Sequence, residues 1–159
     1  MQEVELIESI RALTPMLEQQ ALKAERDRKP VDSVMAAIEE TQAYRWFVPK
    51  KYGGFEFSLE GFMEVGMMLG AADVSTAWVV TFCMEHNWLM GLYNAEGQET
   101  IFGQHPYIIA PGLLAPKGTA KPVDGGYIIN GRWQWGTGVM HANYVMVGSL
   151  TDHDRYPEH

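Results

Sequence analysis

One cysteine, Cys83, in 159 residues leaves no partner for an internal disulfide. The fold must therefore be held by packing alone, as is usual in a reducing compartment. Positive charge is also scarce: 12 Lys and Arg stand against 20 Asp and Glu, a net charge of −8. Nucleic acid rewards clustered cations with counterion release, so it is excluded as a partner. The densest basic stretch, Lys23 to Lys29, contains Glu25 and Asp27 and reads as a solvated helix end. No apolar run approaches the roughly 20 residues of a membrane span. The start, MQEVELIESI, is acidic and amphipathic, the reverse of a secretory signal. A cytoplasmic protein is expected. The three-glycine dinucleotide fingerprint is missing as well, since GTGVMH lacks the third glycine and opens no helix, and there is no phosphate-binding loop pattern.

What is present divides into two kinds of pattern. Val4, Ile7, Ile10, Leu13 and Leu17 recur at helical spacing and predict one amphipathic helix that Pro30 ends. A second helix is expected over 34–44, with Asp32 or Ser33 as its cap. VPKKYGG, Val48 to Gly54, is a loop by composition, and Ser58 caps the helix that follows. Asp73 or Ser75 starts a helix over 76–93 that is apolar nearly all round, which predicts burial at the centre of a bundle. A short charged helix over 95–102 follows. From about Tyr107 short β-prone runs, prolines and glycines take over, and Asp124-Gly125-Gly126 signals a hairpin. These patterns predict an α+β chain, with a helical domain at 1–105 and an incomplete antiparallel β domain at 106–159. A sheet that small leaves an edge and an apolar face open unless other polypeptide covers them.

Few residues are suited to chemistry. Cys83 and His86 have a metal-sharing spacing, but no second pair completes a tetrahedral zinc site, and a Cys on an apolar helix is normally inert. A lone His on such a helix is as a rule a satisfied core residue. Here, however, Glu85, His86 and Asn87 stand in a row, so at least one must border a cavity or interface. Trp78 and Trp88 are expected in the core, and Met63, Met67, Met68, Met84 and Met90 are expected to pack. In GRWQWGTG, Trp133 and Trp135 would share one face of a strand. Either they pack a core, or they form a wall for a flat heterocycle, with Thr137 bonding its polar edge and Gly136 and Gly138 allowing close approach.

Longer segments resemble a known family. VPKKYGG is similar to the P-x-x-Y-G-G loop of the acyl-CoA dehydrogenase superfamily, which likewise precedes a helix pair and a β domain. GRWQWGTG resembles the segment at which that β domain meets its flavin. The nearer likeness is to the oxygenase components of two-component flavin-dependent monooxygenases. STAWVVTFCMEHNW resembles their helix ending in a His that faces flavin and substrate. PVDGGYIINGRWQWGTGVMHANYV resembles their DGGY, GRW and HA run, with Thr137 where Ser is common. The dehydrogenases' TEP-x-A-G-S-D segment is replaced by APGLLAPKGTAKPV.

The resemblance implies the fold and the chemistry. Trp133, Trp135, Gly136, Thr137 and Gly138 would contact FMN or FAD, delivered reduced by a partner flavin reductase. His86, with Thr137, would act at the reacting carbon, orienting or protonating an oxygen adduct or deprotonating a phenol. The small substrate would be aromatic or similar, and the full-length form a homotetramer. The family's C-terminal helical bundle has no counterpart here, so weak flavin binding at best is expected of this chain alone. Two alternatives stand beside this: an acyl-CoA dehydrogenase using FAD, and a non-catalytic fragment that binds a partner.

Overall fold

The computed structural model describes residues 1–151; the last part of the expected β domain, 152–159, lies outside the described residues. Two helices stand where one is predicted: α1 spans Glu3–Arg11 and α2 spans Thr14–Asp27. Pro15 causes the break, because it has no N–H to give the carbonyl of Arg11 four residues earlier. The Thr14 hydroxyl donates to that carbonyl instead, at 2.9 Å. α3 is Asp32–Glu40, with neither Asp32 nor Ser33 as its cap; Val31 holds that position, and Asp32 pairs with Lys29. Short 3-10 turns at Ala43–Arg45 and Lys50–Tyr52 carry the chain through the proline–glycine loop.

α4, Leu59–Ala72, starts as predicted with Ser58 accepting from the amide of Gly61. α5, Val74–Gly91, starts with Asp73 accepting from the amide of Thr76 at 3.1 Å and from its hydroxyl. α6 is Ala95–Phe102. Leu6, Ile10, Leu17, Ile38, Tyr44, Trp46, Val65, Leu69, Val80 and Met84 form the core between these helices. α5 is only half enclosed. Trp78 and Trp88, expected in the core, are 61% and 54% exposed, beside exposed Met63 and Met67 of α4. The helix is apolar on every side, but α4, the first 3-10 turn and the strand segment to come cover only part of its circumference. No helix among the described residues is long and apolar enough to cross a membrane.

β1, Gly112–Val123, and β2, Gly126–Asn130, form the predicted hairpin, with Val123 opposite Gly126. β3, Met146–Leu150, corrects the expectation of a wholly antiparallel sheet, because it runs parallel to β1. The order is β2-β1-β3, with Gly112 beside Met146 and an irregularity between Leu113 and Gly118. Residues 131–145 make the crossover that a parallel neighbour requires and a tight turn cannot supply. The class remains α+β.

Because α5 depends on Asp73 for its first turn, Asp73→Ala should cost about 1–2 kcal/mol, read from the midpoint of urea unfolding. An unchanged midpoint would show that the cap contributes nothing.

Candidate functional site

His86 and Asn87 are buried on α5 while Glu85, their neighbour in sequence, is exposed. This separates the three polar residues that the sequence leaves together. The His86 ring packs edge-on against Phe82, centroids 4.3 Å apart. Its Nδ1 lies 2.6 Å from the carbonyl oxygen of Ala110. A carbonyl only accepts, so Nδ1 carries a proton, and whenever the ring is neutral Nε2 is the nitrogen with the free lone pair. Nε2 looks toward the start of β1. A Cβ built on Gly112 would stand 2.7 Å from both Cε1 and Nε2, so only glycine lets the strand pass this close.

The tryptophans do not share a strand face, because 131–136 form no strand. Trp133 is half-buried, its Nε1 donating to Gly148 of β3 at 2.8 Å. Trp135 is 89% exposed and holds φ +66. A bulky residue in the left-handed region is strained, and such strain concentrates at functional sites. The physical reason for the difference is the crossover, which leaves the sheet at Gly131 and turns at 135. Thr137 donates its amide to Trp135 at 3.0 Å, and its hydroxyl has no partner among the described residues. Gly138, at φ +77, brings this turn onto α5: a Cβ there would lie 3.1 Å from Cys83 Sγ and from Val79. The structure thus brings His86 and the Gly136–Gly138 turn to adjacent turns of one helix. It sets Trp133 into the sheet and turns Trp135 outward.

A cavity of about 260 Å³ lies between Gly112 to Ala115, Lys117 and Trp133 to Trp135. The exposed face of Trp135 and the Lys117 cation line it, while Gly136, Thr137 and Gly138 follow on the turn beyond its wall. The volume falls below the roughly 300–1,000 Å³ usual for a complete ligand pocket. A larger cleft, about 590 Å³, runs between α2 and the start of α5 and touches none of these residues. Size therefore does not mark the candidate site; the strained turn at Trp135 and the His86–Ala110 contact do. Gly112 and Lys117 are not singled out by the sequence reading. They carry no local signal, since their place follows from the crossover.

Cys83 is buried, its thiol pushed up to about 12 by desolvation. No group of three or more His, Cys, Asp or Glu among the described residues could hold a metal. At pH 8 that thiol is almost wholly protonated, so alkylation of Cys83 should be at least about a thousandfold slower in the folded chain than in denaturant. Comparable rates would place the thiol at the surface. Gly112→Ala should push the His86 ring off its Ala110 partner and cost about 1–3 kcal/mol, seen in denaturant unfolding together with a shift of the His86 ring signals.

No family model matches the chain. Among individual proteins, it is 32% identical over 146 residues to HsaA, the oxygenase subunit of a flavin-dependent monooxygenase from Rhodococcus jostii, covering 92% of this chain and 38% of that protein. It is also 32% identical over 145 residues to the oxygenase component of p-hydroxyphenylacetate 3-hydroxylase from Acinetobacter baumannii, covering 91% and 34%. The solved structure of XiaF from a Streptomyces, in complex with FADH2 and glycerol, matches with a TM-score of 0.87 at 28% identity, over 94% of this chain and 38% of that one. The chain spans a little over a third of the length of the curated relatives it matches. In sequence and in fold alike, it is a relative of the oxygenase components of flavin-dependent monooxygenases, with their acyl-CoA dehydrogenase-like fold.

Proposed function

We propose that this chain supplies the N-terminal part of a monooxygenase oxygenase component, a cytoplasmic flavoprotein acting with O2 on an aromatic or similar small substrate. FMN or FAD would reach it reduced by a partner flavin reductase, and the complete enzyme would be a homotetramer. A division near residue 105, with a helical part at 1–105 and a β part at 106–159, belongs to this reading. The observation that carries it is a buried His86 whose Nδ1 is occupied and whose Nε2 lone pair faces the cavity wall at Gly112. The relatives' names, and the FADH2 held by XiaF, support reduced flavin as the ligand.

Reduced flavin would supply the electrons that activate O2. The chain's own residues do the rest. Trp135 offers its exposed face to the ring, and Trp133 holds that turn to the sheet. Gly136 and Gly138 bring backbone within reach, and the Thr137 hydroxyl is free to bond the ring's polar edge. His86 Nε2 is an acceptor, able to take the proton of a phenol and hand it on. Val79 and Cys83, packed against Gly138, close the helix side to water. The exposed apolar face of α5 favours a second reading, a module that only binds a partner.

Anaerobic titration with FMN and FAD, each oxidised and reduced, separates the two. The oxygenase reading expects at least tenfold tighter binding of one reduced flavin, and a binding module expects none. With turnover in hand, His86→Asn should lower hydroxylation by about 10²–10⁴ while reduced-flavin affinity stays within about twofold. Thr137→Ala should weaken flavin binding itself. Undiminished turnover by the His86 variant would sink the assignment.

A further inference from the structure

His86 does not choose its own tautomer; the backbone it meets does, and that backbone is held by two asparagines. Asn87 is fully buried. Its Nδ2 donates to Ile108 O at 2.9 Å and to Cys83 O at 3.0 Å, and its Oδ1 accepts from Ile108 N at 2.8 Å. One side chain thus makes both bonds that a neighbouring strand would make to residue 108. In extended chain the N–H and C=O of one residue point to one side and those of the next to the other, so 108 and 110 face the same way. With Ile108 fixed to α5, the carbonyl of Ala110 arrives at His86 Nδ1, where Cys83 Sγ also approaches it at 4.0 Å.

The opposite edge is held in the same manner. Asn143 accepts from Ile109 N through Oδ1 at 2.8 Å and gives its own amide to Ile109 O at 2.9 Å. Asn143 closely follows the Gly136–Gly138 turn on the same crossover. Residues 108–110 are therefore a spacer, with α5 on one edge and the crossover on the other.

We infer that Asn87 is a positioning residue for His86: its paired bonds to Ile108 set the register that gives Nδ1 a carbonyl and leaves Nε2 bare toward Gly112. Asn143 ties the Gly136–Gly138 turn to the same spacer. A slip of one residue would offer the ring the groups of the next residue and lose the Ala110 carbonyl as its partner. The use made of Nε2 rests on the oxygenase reading, but the tautomer does not.

The test is nitrogen-15 NMR of the whole chain with labelled histidine, without flavin, at mildly alkaline pH where imidazoles are neutral. His86→Gln identifies the His86 signals. The wild-type ring should show one tautomer, Nδ1–H with bare Nε2. Asn87→Ala should convert it to a mixture of both. Asn143→Ala removes the one side-chain bond from Ile109 N on the other edge and keeps the backbone bond to Ile109 O; it should leave the His86 tautomer as in wild type while shifting Gly138 and Cys83. If Asn87→Ala does not fold, Asn87→Gln keeps both amide functions but displaces them by one methylene, and should produce the same mixing. A mixed tautomer in the wild type, or an unmixed one in a folded Asn87 variant, overturns the inference. Mixing by Asn143→Ala to the same extent also overturns it, since Asn87 would then have no particular hold on the ring. A locked tautomer beside undiminished turnover by the His86 variant overturns the oxygenase reading and leaves the positioning role standing; a mixed one beside lost turnover does the reverse.

Discussion

The join between the helices and the sheet depends on full hydrogen bonding of one short apolar stretch, Ile108 to Ala110. All three residues are buried. Their side chains divide between two cores: Ile109 joins the large cluster of the helical bundle, while Ile108 and Ala110 join a smaller one with Val48, Met90 and Phe102. Apolar burial alone would pull this stretch inward at the cost of stranded peptide groups, each worth about 1–3 kcal/mol if left unpaired. Asn87, His86 and Asn143 remove that penalty residue by residue. The catalytic candidate is thus also part of the polar lining that lets the segment leading into β1 lie buried against a helix.

Much of this was legible beforehand. Helices α4 to α6, the caps Ser58 and Asp73, the β1–β2 hairpin and the α+β class all follow from periodicity and turn chemistry, which are local, whereas α3 starts at Asp32 and stops at Glu40, short of the expected 44. The break before α2 was also legible in principle, because Pro15 stands inside the predicted helix, but a continuous apolar stripe outweighed it. Trp78 and Trp88 were misplaced because composition tells how apolar a helix is and not how many neighbours it has. The parallel β3, and with it the turn at Trp135, is a matter of crossover topology, for which no short window of sequence carries a signal. The row Glu85-His86-Asn87 announced something polar. Which of the three faces solvent depended on where residue 108 lands.

The geometry also explains why the candidate site is shallow. Trp135 projects from a strained turn into solvent, and β2 with Tyr127, Ile128 and Ile129 is exposed on both faces. These surfaces pack against nothing among the described residues. His86, by contrast, is buried, with Phe82 against its ring and the Ala110 carbonyl at Nδ1. Its setting is internal to the helical part and to the first residues that follow it, whereas the flavin-facing candidates depend on the sheet.

That asymmetry sets an order of assembly. The Asn87–Ile108 contact closes a loop of 21 residues, and the Asn143–Ile109 contact closes one of 34. Each helix by itself closes almost none, and of these two contacts the one with the longer loop spends more entropy before it gains contacts. The histidine would acquire its backbone partner while the crossover is still unfolded, and the glycine turn would dock onto α5 only when β3 pairs with β1. The crossover is held through Asn143 and the Gly138 turn, whereas His86 takes its backbone partner from the segment that Asn87 holds.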